Sequence, residues 1–585
     1  MKHTDLSPTP STDARWQPAL LLSEVPAGTM AAWKHGGEQF VLVHTGEGEV
    51  HALDNRCPHE GYPLSSGDLK GRALTCCWHN WKFDVKDGAC TLGEEPVRHF
   101  DTRVVDGRIE VDLAEPDPRE SWPGLLESFE EGLEKHQVAR SARDGVRLLL
   151  AGFGPHELLT RVALYDARFA EYGSTHTLAV AADCGRFLER YPGVDAMYAI
   201  APAVDMCGEA NRRLPRRARP AAIPGATCES LRVAVEAEEL ERAEGLLRGA
   251  FEAGVPREEL EGWLYRLLSD HFLDFGHELI YMVKAQELLG RGGEEHAAEI
   301  YGGLLYAIGL GTREDTLPYM KGYFERFAPY EERLAELWEK AGTAPDFATD
   351  GLRDAVLDGS LDEAFGALVE ALEAGASARA LARALVVAAA QRLYRFDLAI
   401  EPDPDVSETW LWATHRFTFA SAVRNAIERF DSPDALRFLL QAVAFVHSGR
   451  GMDAPAAERL PVTPMDLTAG EILEAVVSRD TGRAVAGVAA AVDDPTVLAE
   501  LRTGLEDLSL RDPLVRPIVV THVVKTLVAA FEEFEELGGH PDRAWPLLAV
   551  TRFLASPVIE RRVFEQVRRS IRWVAEGTMP RKLTQ

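Results

Sequence analysis

Two short segments near the start of the chain each combine one cysteine with one histidine. The first is Cys57-Pro58-His59, and after sixteen intervening residues the second is Cys76-Cys77-Trp78-His79. Thiolates and neutral imidazoles are transition-metal ligands, so two matched segments of this kind predict one metal centre with four protein ligands. The chain around them must therefore fold so that two loops face each other.

Short alternating apolar runs surround these segments. Phe40–Val43, Val50–Leu53 and Ala73–Cys76 read as strands, because alternation with period two is typical of half-buried strands. Val104–Val111 reads as a hairpin, since its central Asp106-Gly107 tolerates the positive φ angles of a two-residue turn. This part of the chain is predicted to be all-β.

The two segments, together with the following Trp81, Phe83 and Asp84, resemble the Rieske family, and the likeness extends over roughly Trp16 to Leu113. The resemblance implies a [2Fe-2S] cluster that carries single electrons, with two thiolates on one iron and two imidazoles on the other. The implied ligands are Cys57, His59, Cys76 and His79. Such a cluster performs no substrate chemistry by itself.

A Cys2His2 zinc site is the alternative interpretation of these ligands. Zinc fingers group their cysteines and their histidines in pairs, whereas each segment here supplies one of each. Within the Rieske family, Tyr62 and Trp78 stand where the high-potential type carries extra cysteines, which favours the ferredoxin and oxygenase type. Gly152-Phe153-Gly154-Pro155 is too short for a dinucleotide fingerprint, so we expect an external reductase or ferredoxin as the electron donor.

The composition changes abruptly after the β-rich part. Ala, Leu, Glu and Arg then recur at helical spacing, which predicts α-helices to the end of the chain. We predict a multidomain protein, in which a small all-β Rieske domain precedes a large all-α domain of repeated helical units. The predicted segments are a flexible tail (1–15), the Rieske domain (16–114), a linker (115–121) and the helical domain (122–585).

Charge and hydropathy restrict the partners of the protein. The 585 residues carry a formal net charge of -30, which disfavours nucleic acid and anionic membrane surfaces. The first 15 residues lack the apolar core of a signal peptide, and no run of about 18 apolar residues occurs. We expect a cytoplasmic protein with no nucleic-acid or membrane partner.

The helical region contains an internal repeat. The segment that begins at Thr175-His176 matches the one that begins at Thr414-His415, and both close with Glu-Arg and an aromatic residue. Gly276-His277 and Thr521-His522 occupy the same place in two further units. If the units curve round a common axis, equivalent positions converge, so the four histidines are predicted to meet as ligands of a non-haem iron.

Other polar residues are candidates for the same site. Positions seven residues after the histidines share their helix faces, which singles out Asp183 and Lys284. Glu171 and Asp274 precede two of the histidines and could orient the imidazoles or bind metal directly. The possible additional residues are Lys284, Lys525, Glu171, Asp274, His271, His447 and His156.

Three short motifs give the helical region a faint resemblance to the questin oxidase-like family. They are Gly154–Leu159, Gly276–Ile280 and Thr521–Thr526. The resemblance implies non-haem iron oxygenase chemistry on aromatic polyketide rings. The fused Rieske domain departs from that family's pattern and leaves the reaction type open.

These observations favour a Rieske-fused non-haem iron oxygenase that passes electrons from the cluster to a histidine-ligated iron. The iron would activate O2 against a small organic substrate of apolar or aromatic character. One alternative is a di-iron oxidase bridged by acids such as Glu171 and Asp274. The other is a non-catalytic electron carrier or redox sensor whose helical repeats bind proteins.

Overall fold

A computed structural model describes residues 15–46, 48–114, 117–343, 348–403, 409–511, 516–559 and 562–578. The predicted tail, apart from Arg15, and residues 115–116 of the predicted linker lie outside the described residues. The chain divides into two compact units. The first unit contains residues up to Glu131 together with Ala139–Phe153, and the second contains Gly132–Val138 and the residues from Gly154 onward.

The first unit is built on three antiparallel sheets. Their orders are β1-β11-β10, β2-β3-β4-β9 and β5-β6-β7-β8. The strands are β1 (Trp16–Leu21), β2 (Thr29–His35), β3 (Glu38–His44), β4 (Val50–Asp54), β5 (Asp68–Lys70), β6 (Ala73–Thr75), β7 (Lys82–Asp84), β8 (Cys90–Leu92), β9 (His99–Phe100), β10 (Thr102–Val105) and β11 (Arg108–Asp112). The predicted all-β domain is confirmed.

Local sequence explains the strands well. Val105 pairs with Arg108 across a turn in which Asp106 and Gly107 have φ angles of 49° and 76°, which confirms the predicted hairpin. In β3, Val41 and Val43 pack in the core that contains the cysteines of the two ligand segments, whereas Phe40 and Leu42 pack on the opposite side. The alternation of β3 therefore supports the loops directly.

Two helices follow the strands, namely α1 (Trp122–Glu134) and α2 (Val138–Leu150). Residues of α2 belong to the first unit, because Arg143 and Arg147 both pair with the buried carboxylate of Glu95. The predicted division at residue 122 thus differs from the division into compact units. The reason is a long-range ion pair, which periodicity does not reveal.

The second unit is helical. Its earlier helices are α3 (Pro155–Phe169), α4 (His176–Cys184), α5 (Ala196–Asn211), α6 (Cys228–Glu236), α7 (Leu240–Glu252), α8 (Arg257–Asp270), α9 (His277–Gly290), α10 (Ala297–Leu310), α11 (Pro318–Glu331) and α12 (Leu334–Lys340). The later ones are α13 (Asp350–Asp358), α14 (Leu361–Glu373), α15 (Ala378–Tyr394), α16 (Trp410–Arg429), α17 (Ala435–Ser448), α18 (Ala469–Val477), α19 (Thr481–Ala491), α20 (Pro495–Ser509), α21 (Pro517–Leu537), α22 (Trp545–Leu554) and α23 (Arg562–Val574). Within the described ranges, no helix is long and apolar enough to cross a membrane.

Four of these helices form an inner bundle. Helix α4 packs against α9, α9 against α16, α16 against α21, and α21 against α4. Each packs against the helices before and after it in the chain, as α4 does against α3 and α5. Asp183 and Lys284 follow their repeat histidines by the same number of residues, and their side chains meet across α4 and α9. The helices of the bundle therefore run parallel.

Candidate metal centres

The first candidate centre lies on two loops of the β unit. The loop after β4 closes through hydrogen bonds from the Cys57 amide to the Tyr62 carbonyl and from the Gly61 amide to the Cys57 carbonyl, both of 2.8 Å. The loop after β6 closes through a 2.8 Å bond from the Cys76 amide to the Trp81 carbonyl. These tight closures fix the cysteines at the base of each loop.

The four predicted ligands form two layers. Cys57 and Cys76 are buried and form no disulfide, whereas the rings of His59 and His79 lie further out with their centroids 4.5 Å apart. The His59 ring stacks on Trp81 at 4.9 Å. A cluster held here would have a buried thiolate end and an outer imidazole end.

The chemistry of the thiols fits a metal cluster. Burial, with a contribution from neighbouring Cys76, raises the pKa of the Cys57 thiol to about 12. Such a thiol stays protonated at neutral pH unless a metal cation displaces the proton. The sequence did not predict a third group near the rings. This group is the carboxylate of Glu60, which lies within 4.8 Å of ring nitrogens of His59 and His79.

The second candidate centre consists of the four repeat histidines. One ring nitrogen from each lies within 4.8 Å of the ring nitrogens of the other three. Their ring centroids follow one another at 4.5, 4.5, 4.7 and 4.9 Å in the order His176, His277, His415, His522 and back to His176. Across the described residues, this group contains no carboxylate.

Helix starts position two of these histidines. His176 is the first residue of α4, and the side chain of the preceding Thr175 accepts a hydrogen bond from the Thr177 amide. Thr175 is held in turn by Asp166, which accepts its amide at 2.8 Å and its hydroxyl at 2.6 Å. Because Asp166 is fully buried on α3, the start of α4 is tied to the neighbouring helix.

His277 begins α9 after an unusual turn. Asp274, Phe275 and Gly276 have φ angles of 34°, 58° and 86°, so three consecutive residues are left-handed. A Cβ atom on Gly276 would lie 2.1 Å from the ring of Phe419 on α16. Glycine is needed here both for its φ angle and for the close approach of the two helices.

Replacing Gly276 by alanine is expected to destabilise the helical unit by about 2–4 kcal/mol, combining left-handed strain with overpacking against Phe419. Chemical denaturation of the full chain, followed by circular dichroism, measures this loss. Gly290→Ala is the matched control, since Gly290 is the last residue of α9, the helix that Gly276 precedes, and has open space around it. Equal denaturation midpoints for the two variants would contradict the role of Gly276 in the left-handed turn against Phe419.

The electrostatics of the four rings favour a bound cation. Burial, together with the nearby Lys525 ammonium, lowers the pKa of each imidazole well below its usual value. The rings are therefore neutral at physiological pH. A neutral imidazole is the form that binds metals.

The hydrogen-bond pattern is incomplete without such a cation. His522 Nδ1 donates to the Ile518 carbonyl at 2.6 Å, so its Nε2 keeps a lone pair. That Nε2 lies 2.9 Å from Nε2 of His415, which also lies 2.8 Å from Nε2 of His277. A single proton on His415 can satisfy one of these contacts only. A cation among the rings satisfies both, because each nitrogen then donates its lone pair to the metal.

Orienting contacts on the far side of the rings were not predicted. The Nδ1 atom of His176 lies 3.1 Å from the Tyr281 hydroxyl, which leaves its Nε2 buried without a hydrogen-bond partner among the described residues. The Phe275 ring stacks on His415. The spacing of four residues between His277 and Tyr281 on one helix face is the signal that sequence reasoning overlooked.

Two of the other predicted histidines are engaged elsewhere. The ring of His271 lies 3.0 Å from Asp315 and 3.3 Å from Glu236, and its hydrogen bond to Asp315 raises its pKa. His447 Nε2 lies 3.3 Å from the Gly359 carbonyl oxygen. The structure does not bring either ring into the four-histidine group.

The remaining predicted residues also lie outside the group. His156 is in the first turn of α3, and burial lowers its pKa. Glu171 is exposed, and Asp274 belongs to the left-handed turn before α9. Lys284 and Lys525 are buried inside the bundle, where the Lys284 ammonium lies 2.8 Å from Asp183.

Comparison with known proteins defines the first centre. The two-loop arrangement belongs to a class of small redox domains, and residues 15–105 match the Rieske [2Fe-2S] domain. The chain is 30% identical over 102 residues to the ferredoxin component of a naphthalene 1,2-dioxygenase system from Pseudomonas aeruginosa, which covers 17% of this chain and 97% of that protein. Through its N-terminal domain, the chain belongs to the Rieske [2Fe-2S] family.

Other similar proteins also match a small share of the chain. A 4beta-methylsterol monooxygenase from Methylococcus capsulatus is 46% identical over 55 residues, which is 9% of this chain and 15% of that protein. A solved ferredoxin of carbazole 1,9a-dioxygenase from Nocardioides aromaticivorans IC177 is 27% identical and covers 17% of this chain and 98% of that chain, with a TM-score of 0.16. The sequence matches to the dioxygenase ferredoxin and to the monooxygenase support electron transfer in an oxygenase context, and they cover 17% and 9% of this chain.

Proposed function

We propose that this protein is an oxygenase that combines a Rieske electron-transfer domain with a non-haem iron centre in its helical unit. The observation that carries the proposal is the convergence of the four repeat histidines, since one ring nitrogen of each lies within 4.8 Å of those of the other three. Unrelated structural histidines would not occupy equivalent positions on four parallel helices. The resemblance to the questin oxidase-like family stays a prediction that agrees with this proposal.

The cluster ligands form part of the proposal. Cys57 and Cys76 would hold the inner iron of the [2Fe-2S] cluster, and His59 and His79 the outer one. When bound, the cluster supplies one electron at a time. The buried bases of the loops exclude water from the sulfur ligands, while the outer position of the rings suits electron exchange with an external reductase or ferredoxin.

A redox metal is the natural partner of such a domain. Imidazole sites bind Zn, Cu, Fe or Ni, and zinc has no redox chemistry for an electron carrier to drive. The Nε2 atom of His415 lies 2.8 Å from that of His277 and 2.9 Å from that of His522, so these rings, together with His176, would hold the metal. When bound, an iron ion would supply the redox chemistry that reaction with O2 requires.

The helical residues around the centre have distinct roles in this proposal. The Ile518 carbonyl and the Tyr281 hydroxyl orient the rings of His522 and His176. Phe275 stacks on His415 and contacts Trp412 at 5.1 Å between centroids. This aromatic wall favours an apolar or aromatic substrate and excludes water beside the metal.

The overall reaction balances with the electrons that the cluster provides. A substrate RH, one O2, two electrons and two protons give ROH and water, and the electrons arrive singly. The bridging acids required by the di-iron alternative do not join the histidine group, so a single iron is the better-supported form.

Metal analysis of the full chain tests the proposal. We expect one iron beyond the two of the cluster in protein purified without oxygen, and Mössbauer spectra that resolve it from the cluster irons. The chemically reduced chain should consume O2. A folded chain with only the two cluster irons would end the proposal and leave an electron carrier fused to a helical scaffold.

A further inference from the structure

The interior of the inner bundle is unusually polar on the C-terminal side of the four histidines. Lys525 lies one turn after His522, and Asp183 and Lys284 lie two turns after their histidines on α4 and α9. These three residues are buried. Burying a charge costs free energy of folding, so several buried charges within one bundle indicate a function beyond stability.

Ion pairs connect the buried charges to the far end of the bundle. The Lys284 ammonium lies 2.8 Å from Asp183, 3.2 Å from Glu287 and 3.7 Å from Glu532. Arg186 pairs with Glu287 at 3.2 Å and also with Glu532. The side chain of Asp183 is fully buried, whereas that of Arg186 is 28% exposed. The charges thus form a continuous path from solvent to the axis.

A small cavity lies beside Lys525, Lys284 and Glu532. Its volume is about 20 Å³, and residues of α9, α16 and α21 form its walls. One water needs roughly 10–15 Å³ and two to four polar partners. The polar residues that line it are Lys284, Thr418, Ser421, Asn425, Lys525 and Glu532.

We propose that this column conducts protons from the Arg186 end of the bundle to the histidine centre, with one water in the cavity and Lys525 as the last protein group. The proposal rests on the proposed oxygenase function and adds a proton supply to it. Reduction of one O2 by two electrons and two protons gives H2O2 when no substrate is present. For each proton transferred, an N–H bond of Lys525 breaks and an O–H bond forms, and the water returns a proton to the amine.

The surroundings of Lys525 suit this role. Burial lowers the pKa of Lys525 to about 7, although the charge of Asp183 on α4 raises it. Lys284 faces the cavity from α9, Glu532 faces it from α21, and α16 contributes only neutral polar groups. Because Lys525 lines the cavity, its amine can accept a proton from a water held there and donate one to oxygen.

Two variants test the column in the full chain, loaded with iron and fully reduced before mixing with O2. Lys525→Met keeps a long, unbranched side chain at this position but cannot transfer protons. Ala422→Val narrows the cavity and excludes the water while every charge stays in place. Lys321→Met is the control, because Lys321 is an exposed lysine of α11.

We expect O2 consumption to slow about 100-fold in Lys525→Met and to slow substantially in Ala422→Val, which is within the range for loss of a general acid. The solvent isotope effect on O2 consumption should be lost in Lys525→Met, because the transferred proton then no longer comes from the amine. The solvent isotope effect should be present in the wild type and in Lys321→Met.

Metal analysis separates the possible failures. Wild-type rates and solvent isotope effects in both variants, with iron retained, would overturn the proton path. Loss of iron in Lys525→Met combined with a wild-type rate in Ala422→Val would also overturn it and would assign Lys525 to holding the site. A wild-type chain with only the cluster irons would instead refute the proposed function, because there would be no centre to supply.

Discussion

Replacing His415 by alanine is expected to remove the iron of the helical unit and to leave the [2Fe-2S] cluster intact. Nε2 of His415 lies 2.8 Å from that of His277 and 2.9 Å from that of His522, so this ring occupies the middle of the group. The substitution removes one proposed ligand and also the ring that contacts both His277 and His522. The iron count should fall by one per chain, and O2 consumption by the reduced protein should fall at least 100-fold.

His447→Ala is the matched control for this prediction. His447 is buried to nearly the same degree as His415, with 8% and 6% of the residue exposed, and it lies on the neighbouring helix α17. Both substitutions create a cavity, but only one touches the proposed centre. If His447→Ala lost the same iron, or if His415→Ala kept it, the four-histidine centre would have to be abandoned.

The β domain was predictable in detail because its signals are local. The alternation of Phe40–Val43 and the Asp106-Gly107 turn involve neighbours in sequence, and strand pairing by a short hairpin leaves little choice of register. The likeness to Rieske domains depends on residues within two short loops. Both kinds of signal are confirmed in the structure and in the family match.

The helical unit was predictable only at the level of its repeat. Equivalent positions on similar units converge when the units surround one axis, which is why the four histidines could be selected from the many polar residues of the region. Tyr281 was missed because its partner His176 lies on another helix. Glu171 and Asp274 were proposed from chain proximity, which says nothing about where a loop side chain points.

Long-range ion pairs explain why the position of His271 and the boundary of the first unit differ from the sequence predictions. His271 lies close in sequence to His277 at the start of α9, yet Asp315 and Glu236 hold its ring in a different place. Arg143 and Arg147 tie α2 to the buried Glu95 of the first unit. The two residues of each pair are 35 to 52 positions apart in sequence, and neither periodicity nor composition encodes such pairs.

Replacing Cys76 by alanine is expected to abolish the [2Fe-2S] cluster and to leave the helical iron in place. Cys76 is 1% exposed at the base of its loop, so no other side chain can take over the lost iron bond from the same position. Visible absorption and electron paramagnetic resonance of the reduced chain should lose the cluster signals. The metal count should fall by two iron atoms and retain one.

The neighbouring Cys77 provides the control, since it is an exposed cysteine on the same loop and lies outside the ligand pattern. Cys77→Ala should keep the cluster and the electron supply. The reduced Cys76→Ala chain holds one electron where reaction with O2 requires two, so its single-turnover reaction should stop short of H2O2. Full O2 reduction without the cluster would show that the helical centre obtains its electrons by another route, and the reason for joining these two units in one chain would then have to be sought outside electron transfer.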